Sequence, residues 1–356
     1  MAQAQREPST QACNRLTLMN RRLILLVLAL AGLALAAWWL KKRSTGSTLD
    51  PALSDFAIAD TARVTRIHIA DRTGKQVNLV RTEDGWMVNG VFKARQPEVN
   101  TVLKTFKRIE VKSPVPKSAE AMTLRTMAAY STKVEIYTGG RTPEKVWIVG
   151  HATKDHFGTY MVLEKPGSGR SSSPFVMGMP AFTGVLNTRF PTNPDQWRSP
   201  EVFRYADLHA LAEVEVQHTG RRDASYRILN TGDGPPQLAS LDGAVLPMDT
   251  VLVMAALLPF KEFNYEDIVR TMAPARRDSL LSAPPNFTVM VKPRKGAAQD
   301  MKLWYMPYTG DGSAYDGAVP LHEPLRMWAL VEDTLLVTVQ RQYVDQMTQP
   351  AAAFRP

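Results

Sequence analysis

This chain has almost no cysteine. Its single thiol, Cys13, stands near the start, so residues 44–356 can form no disulfide, no thiolate metal site and no cysteine nucleophile. Catalytic signatures are also missing. No GxSxG, Walker A, GxGxxG or SxxK run falls in a strand–turn–helix setting, and no HExxH pair occurs. Charge of one sign is scarce once the first 43 residues are set aside. The net charge is +9, but residues 1–43 hold seven Lys/Arg against one Glu. The remainder, 36 basic against 33 acidic residues, is nearly neutral, which argues against nucleic acid as a partner.

Long apolar runs are absent with one exception, residues 23–40 (LILLVLALAGLALAAWWL). As a helix these residues would rise roughly 27 Å, close to the ~30 Å hydrocarbon core of a bilayer. Arg21 and Arg22 close one end, and Lys41, Lys42 and Arg43 close the other. Trp38 and Trp39 take the interfacial aromatic position. The stretch is therefore expected to be a single transmembrane signal-anchor. It would have a cytoplasmic tail (1–22), a tether (41–59) and a large periplasmic domain beyond, with membrane lipid as a contact.

The rest reads as α+β with antiparallel sheets. Residues 64–69 and 76–81 alternate around a turn at 71–74, and 85–88 supply a third strand. Residues 97–109 have helical periodicity, with Val99, Val102, Leu103, Phe106 and Ile109 on one face and Lys104, Lys107 and Arg108 on a solvated one. Strands are expected at 133–137, 145–149, 159–163 and 174–177. A Pro-rich joint follows at 191–200 (PTNPDQWRSP).

The order then recurs. A second hairpin is read at 214–218 and 226–229, a helix at 247–259, and strands at 287–292, 301–306, 326–331 and 335–341. Asp249-Thr250-Val251-Leu252 echoes Asn100-Thr101-Val102-Leu103 at an offset of 149. Two duplicated α+β units are expected, 60–195 and 196–345, with a C-terminal tail at 346–356. The second helix, VLVMAALLPF, is apolar nearly all round, so it must be covered on more than one side. Met254, Leu257, Leu258 and Phe260 are its candidate interface residues.

No catalytic, cofactor-binding or metal residue is assigned. His151, Asp155 and His156 lie close in sequence, but in a strand-flanking loop rather than at helical spacing. The adjacent acids Glu83/Asp84, Glu266/Asp267 and Glu332/Asp333 read as turn or surface charges. Trp304, Tyr305 and Tyr308 read first as strand core and only second as a binding platform.

The N-terminal apolar segment, a hairpin ending in Gly85-Trp86-Met87-Val88, a helix, and the Arg198–Phe203 joint leading to a second Val-x-Val hairpin resemble the membrane-anchored bacterial family known as domain of unknown function 4340. The resemblance covers roughly residues 60–340, and the second hairpin departs from it by lacking the Trp after its turn. It brings no catalytic residues. It implies a companion of gliding-type ABC transport systems. The expected function is thus an extracytoplasmic scaffold or accessory subunit of a membrane complex. The alternative is an anchored envelope enzyme acting on glycan or lipid, which a pocket gathering several of His151, Asp155, His156 and Glu164 would favour, or a ligand-sensing module, which a deep apolar cleft between the two units would favour.

Overall fold

A computed structural model of the chain describes residues 25–26, 28–39, 51–232, 234–311 and 319–356. Antiparallel sheet dominates, with 35% of residues in strands against 28% in helices. Among the described residues no helix is long and apolar enough to cross a membrane. That finding corrects the expected single-pass anchor and, with it, the inner-membrane, cytoplasmic-tail and periplasmic assignments. Among the described residues there, 28–39 form a helix. Trp38 and Trp39 lie on it, 59% and 54% exposed. Arg21, Arg22, Lys41, Lys42, Arg43, the tail 1–22 and most of the tether lie outside the described residues.

The first half contains β1 (Arg66–Ala70), β2 (Gln76–Thr82), β3 (Gly85–Val88), β4 (Phe92–Lys93), α1 (Gln96–Arg108), β5 (Glu110–Pro114), α2 (Lys117–Ala129), β6 (Thr132–Tyr137), β7 (Lys145–Ala152), β8 (Thr159–Lys165), β9 (Gly169–Arg170) and β10 (Phe175–Gly178). The second half contains β11 (Glu201–Phe203), β12 (Leu211–His218), β13 (Tyr226–Leu229), β14 (Gln237–Ala239), α3 (Thr250–Leu257), β15 (Phe263–Asn264), β16 (Asp267–Ile268), α4 (Pro274–Ser282), β17 (Phe287–Pro293), β18 (Gln299–Pro307), β19 (His322–Val331), β20 (Leu335–Gln340) and α5 (Arg341–Met347).

These elements form two compact units that interleave along the chain. One takes in the described residues up to Gln76 and Thr101–Thr192; the other takes in Val77–Asn100 and Asn193–Pro356. In the first, the strand order is β1-β6-β7-β8-β10-β5, every neighbour antiparallel. In the second it is β14-β13-β12-β17-β18-β19-β20-β16, with β11-β15 as a pair; the ribbon β2-β3-β4, most of which falls in this unit, continues from β1 in the sheet order β4-β3-β2-β1. The run β12-β17-β18-β19-β20-β16 repeats the order of the first unit strand for strand. The register repeats too: Ile67 faces Ile136 in β1–β6, and Val216 faces Val289 in β12–β17.

Alternation decides which face each strand buries. Ile67, Ile69, Val134 and Ile136 all point into the first core at 0% exposure. Strand β7 is buried on both faces because each face has its own cover. Met127 and Leu124 of α2 lie on Val146 and Ile148. On the other side Trp147 meets Phe106 at 5.0 Å and Phe190 at 6.1 Å, both edge-on. In the second unit the larger core lies between the sheet and α3, α5 and the turn at Ala351–Phe354. A smaller cluster, Trp304, Trp328, Leu330 and Leu336, packs with Leu280 and Leu281 of α4.

Candidate interaction surface

Helix α3 starts at Asp249, whose carboxylate accepts the backbone N–H groups of Val251 at 2.7 Å and Leu252 at 3.4 Å. This is an N-cap of the usual acidic type, satisfying donors that the first turn leaves orphaned. The Asp249 N–H itself donates to the Phe354 carbonyl at 2.7 Å, tying the helix start to the C-terminal turn. At the other end Pro259 sits in a 3-10 turn, Leu258–Lys261, that ends the α-helical ladder.

Between these ends the side chains divide. Val253, Ala256 and Leu257, with Phe260 just beyond, enter the core at 0–5% exposure. Phe260 meets Phe203 at 5.4 Å. Val251 (74%), Leu252 (41%), Met254 (38%) and Leu258 (53%) point away from it. Of the four residues singled out by sequence, Met254 and Leu258 therefore lie on an open face, while Leu257 and Phe260 are buried in their own unit. Helix α5 packs beside α3 and adds Tyr343, 43% exposed.

Comparison with α1 shows what is unusual. The buried positions of α1 are Val99, Val102, Thr105 and Phe106, with Ile109 just beyond its end. Val102, Thr105, Phe106 and Ile109 match Val253, Ala256, Leu257 and Phe260 by spacing. The burial patterns thus align at an offset of 151, two residues beyond the sequence echo. In that alignment exposed Asn100, Lys104 and Lys107 and half-buried Thr101 correspond to Val251, Ala255, Leu258 and Leu252. One copy of the element meets water with polar and cationic groups, and the other with aliphatic ones.

The histidine and acidic candidates do not converge. The His151 ring lies 4.9 Å from that of Tyr160. Asp155 accepts from Thr153 Oγ1 and the Phe157 N–H within its own turn, and the Thr153 bond holds its carboxyl below the usual range. His156 occupies the turn with φ 58°. Glu164 lies at the far end of the β7–β8 hairpin, opposite Val146 and Arg170. No group of three or more His, Cys, Asp or Glu residues placed to hold a metal ion occurs among the described residues. Of the adjacent acid pairs, Glu266 takes Arg326 and Gln340, and Asp333 takes Lys302 at 2.6 Å.

No protein-family model, curated protein or solved structure matches the chain. The family resemblance accordingly rests on its sequence motifs alone.

One feature escaped the sequence reading. His218, Phe287, Tyr305 and His322 form a row of rings across four neighbouring strands. Successive centroids are 5.0, 5.7 and 4.7 Å apart, and Arg341 lies 5.1 Å over Tyr305. His68 and His218 look equivalent in sequence, but the register places His218 at the position of Ile69 and Gln217 at that of His68. His68 consequently faces outward against Glu135 at 3.2 Å, while His218 is 7% exposed. Burial pushes the His218 imidazole below its ordinary value, and its Nε2 is a buried atom without a hydrogen-bond partner.

Proposed function

We propose that this chain is a non-enzymatic accessory subunit that docks a partner protein of matching apolar chemistry on the open face of α3. One observation carries the reading: Val251, Leu252 and Met254 on a short helix, and Leu258 in the turn that ends it, stand 38–74% exposed. Single exposed aliphatic residues are ordinary on protein surfaces, whereas a contiguous apolar group rimmed by polar residues marks an interaction site. Asp249 and Lys261 supply the polar ends.

The magnitude sets the size of the interface. Full burial of such side chains stabilises by about 1.5–3 kcal/mol each, so covering the exposed fractions of these four gives on the order of 4 kcal/mol. Association costs at least as much in lost translational and rotational freedom. Helix α3 is thus the centre of a larger contact, and Tyr343 on the neighbouring α5 is the next residue to join it.

Photo-crosslinking tests this in the full-length chain. Benzoylphenylalanine placed at Met254 or Leu258 should trap one and the same partner in the native cell, and Leu258→Lys should abolish its co-purification. The same probe at Tyr130, 79% exposed in the other unit, should trap nothing in common. Equal labelling from all three positions, or none from the two on the helix, overturns the proposal.

A further inference from the structure

The last residues of the chain are held down on one hairpin, with a histidine beneath them. Helix α5 ends at Met347, and the turn Ala351–Phe354 follows. Val344, Met347, Ala351 and Phe354 recur at spacings of three and four, and all are buried at 0–7% exposure. The hairpin β12–β13 grips this segment from the sheet side. The Tyr226 hydroxyl donates to the Met347 carbonyl at 2.9 Å, and the Ala351 N–H donates to the Ala224 carbonyl at 2.9 Å. The Tyr226 and Phe354 rings meet edge-on at 5.1 Å.

Those two hydrogen bonds bracket Ser225 on the hairpin and Gln349 on the segment. Ser225 Oγ in turn accepts the His218 backbone N–H at 2.9 Å. His218 thus stands across the ladder from the residue between the two clamps, and the Gln349 backbone reaches its imidazole. The ring is edge-on to Phe287 at 5.0 Å, and its buried Nε2 has no hydrogen-bond partner among the described residues. A proton there would make a buried cation with nothing to receive it, which a folded interior resists. Few charges face the ring. The β12–β13 turn brings Arg221, which opposes a proton, and Asp223, which favours one. Strand β17 presents Phe287. Helix α5 carries Arg341 and Asp345, which pair with each other at 3.3 Å, and Arg341 lies over Tyr305, two rings along the row that ends at His322.

We propose that His218 is an acid-sensitive latch: protonation of its ring releases the C-terminal segment, residues 348–356, from the β12–β13 hairpin. With the segment in place the imidazole is buried and resists a proton. With the segment lifted it meets water and accepts one at its ordinary pKa of about 6.5. Acid therefore favours the lifted state. From pH 7.5 to 5.5 a wetted ring goes from roughly one-tenth to roughly nine-tenths protonated, so the opening constant should rise by up to about tenfold. The Phe354 carbonyl accepts the Asp249 N–H, so lifting also frees the start of α3.

The test is hydrogen exchange of the full chain at pH 7.5 and 5.5, read by mass spectrometry, with each rate corrected for the intrinsic pH dependence of amide exchange. Amides of 348–355 should exchange through a smaller opening than those of the core strands β18 and β19, and their protection should fall by up to about tenfold at the lower pH. His218→Phe should abolish the fall, whereas His209→Gln, at an exposed position of the same unit, should retain it. Should His218→Phe fail to fold, His218→Ile decides, because the first copy carries Ile69 at the matching register position. Protection that is equal at the two pH values, a fall that survives replacement of His218, or a segment as strongly protected as β18 overturns the proposal.

Discussion

Leu257 and Leu258 are adjacent in sequence and should behave as opposites. Leu257 is 1% exposed within the main core of its unit, whereas Leu258 is 53% exposed. Truncating a buried leucine to alanine removes its transfer free energy and leaves a cavity, together about 2–5 kcal/mol. For a unit of roughly 190 residues each kcal/mol moves the melting temperature about 2–4 °C, so a mid-range loss near 3 kcal/mol lowers it by about 6–12 °C. Leu258→Ala removes atoms that are half in water already and opens no cavity, so its cost should stay within about 0.5 kcal/mol, or roughly 1–2 °C. Leucine and alanine have similar helix propensity, so the backbone contributes little to either change. Calorimetry of both variants, with circular dichroism to confirm the fold, measures the contrast. Equal shifts, or a larger shift for Leu258→Ala, would refute the burial pattern of α3 and the docking surface built on it.

Three further outcomes are expected. Burial lowers the His218 pKa, so below about pH 6.5 the unfolded chain takes up a proton that the folded state resists; stability should be full above that pH and fall as the pH is lowered. His218→Phe should narrow the difference in melting temperature between pH 7.5 and 5.5, and an unchanged difference would sink the assignment. Asp55 joins Lys145 at 3.0 Å and Lys165 at 2.9 Å, and Lys145 is 6% exposed. Asp55→Ala leaves that ammonium with only the Ala57 carbonyl and should cost about 1–3 kcal/mol in urea unfolding; a loss within experimental error would show the pair to be idle. A Cβ on Gly150 would stand 2.7 Å from Met127 Cγ and 2.9 Å from the Tyr160 carbonyl oxygen across the hairpin. Gly150→Ala should therefore cost about 1–3 kcal/mol through overpacking, and a neutral result would mean that α2 can move off the sheet.

The hairpins, the first amphipathic helix and the recurrence of element order could be read from alternation and spacing, because each of those segments has one wet face and one dry face. Helix α3 could be located but not oriented. With no polar residue from Val251 to Leu258, its periodicity carries no minimum to mark the solvent side. The four-residue echo then set it two positions out of register, which matched Leu257 to a lysine-bearing face when it corresponds to buried Phe106. Helices α2 and α4 went unread because they bury so little: Thr123 and Met127 in one, no residue in the other. Pro116 and Pro274 at their starts were the available signals.

The interleaving of the units bears on how the protein is made. The ribbon β2-β3-β4 belongs with residues that begin at Asn193, so it leaves the ribosome about ninety residues before the rest of its own unit begins to follow. At roughly 5–20 residues per second the wait is on the order of 5–20 s, during which strand edges that end up paired are open to other chains. The first unit can close within that interval; the second must recover a segment already synthesised. A protease cut or gene split at residue 195 would therefore strand part of one unit on the fragment of the other, and the two halves should refold only when supplied together.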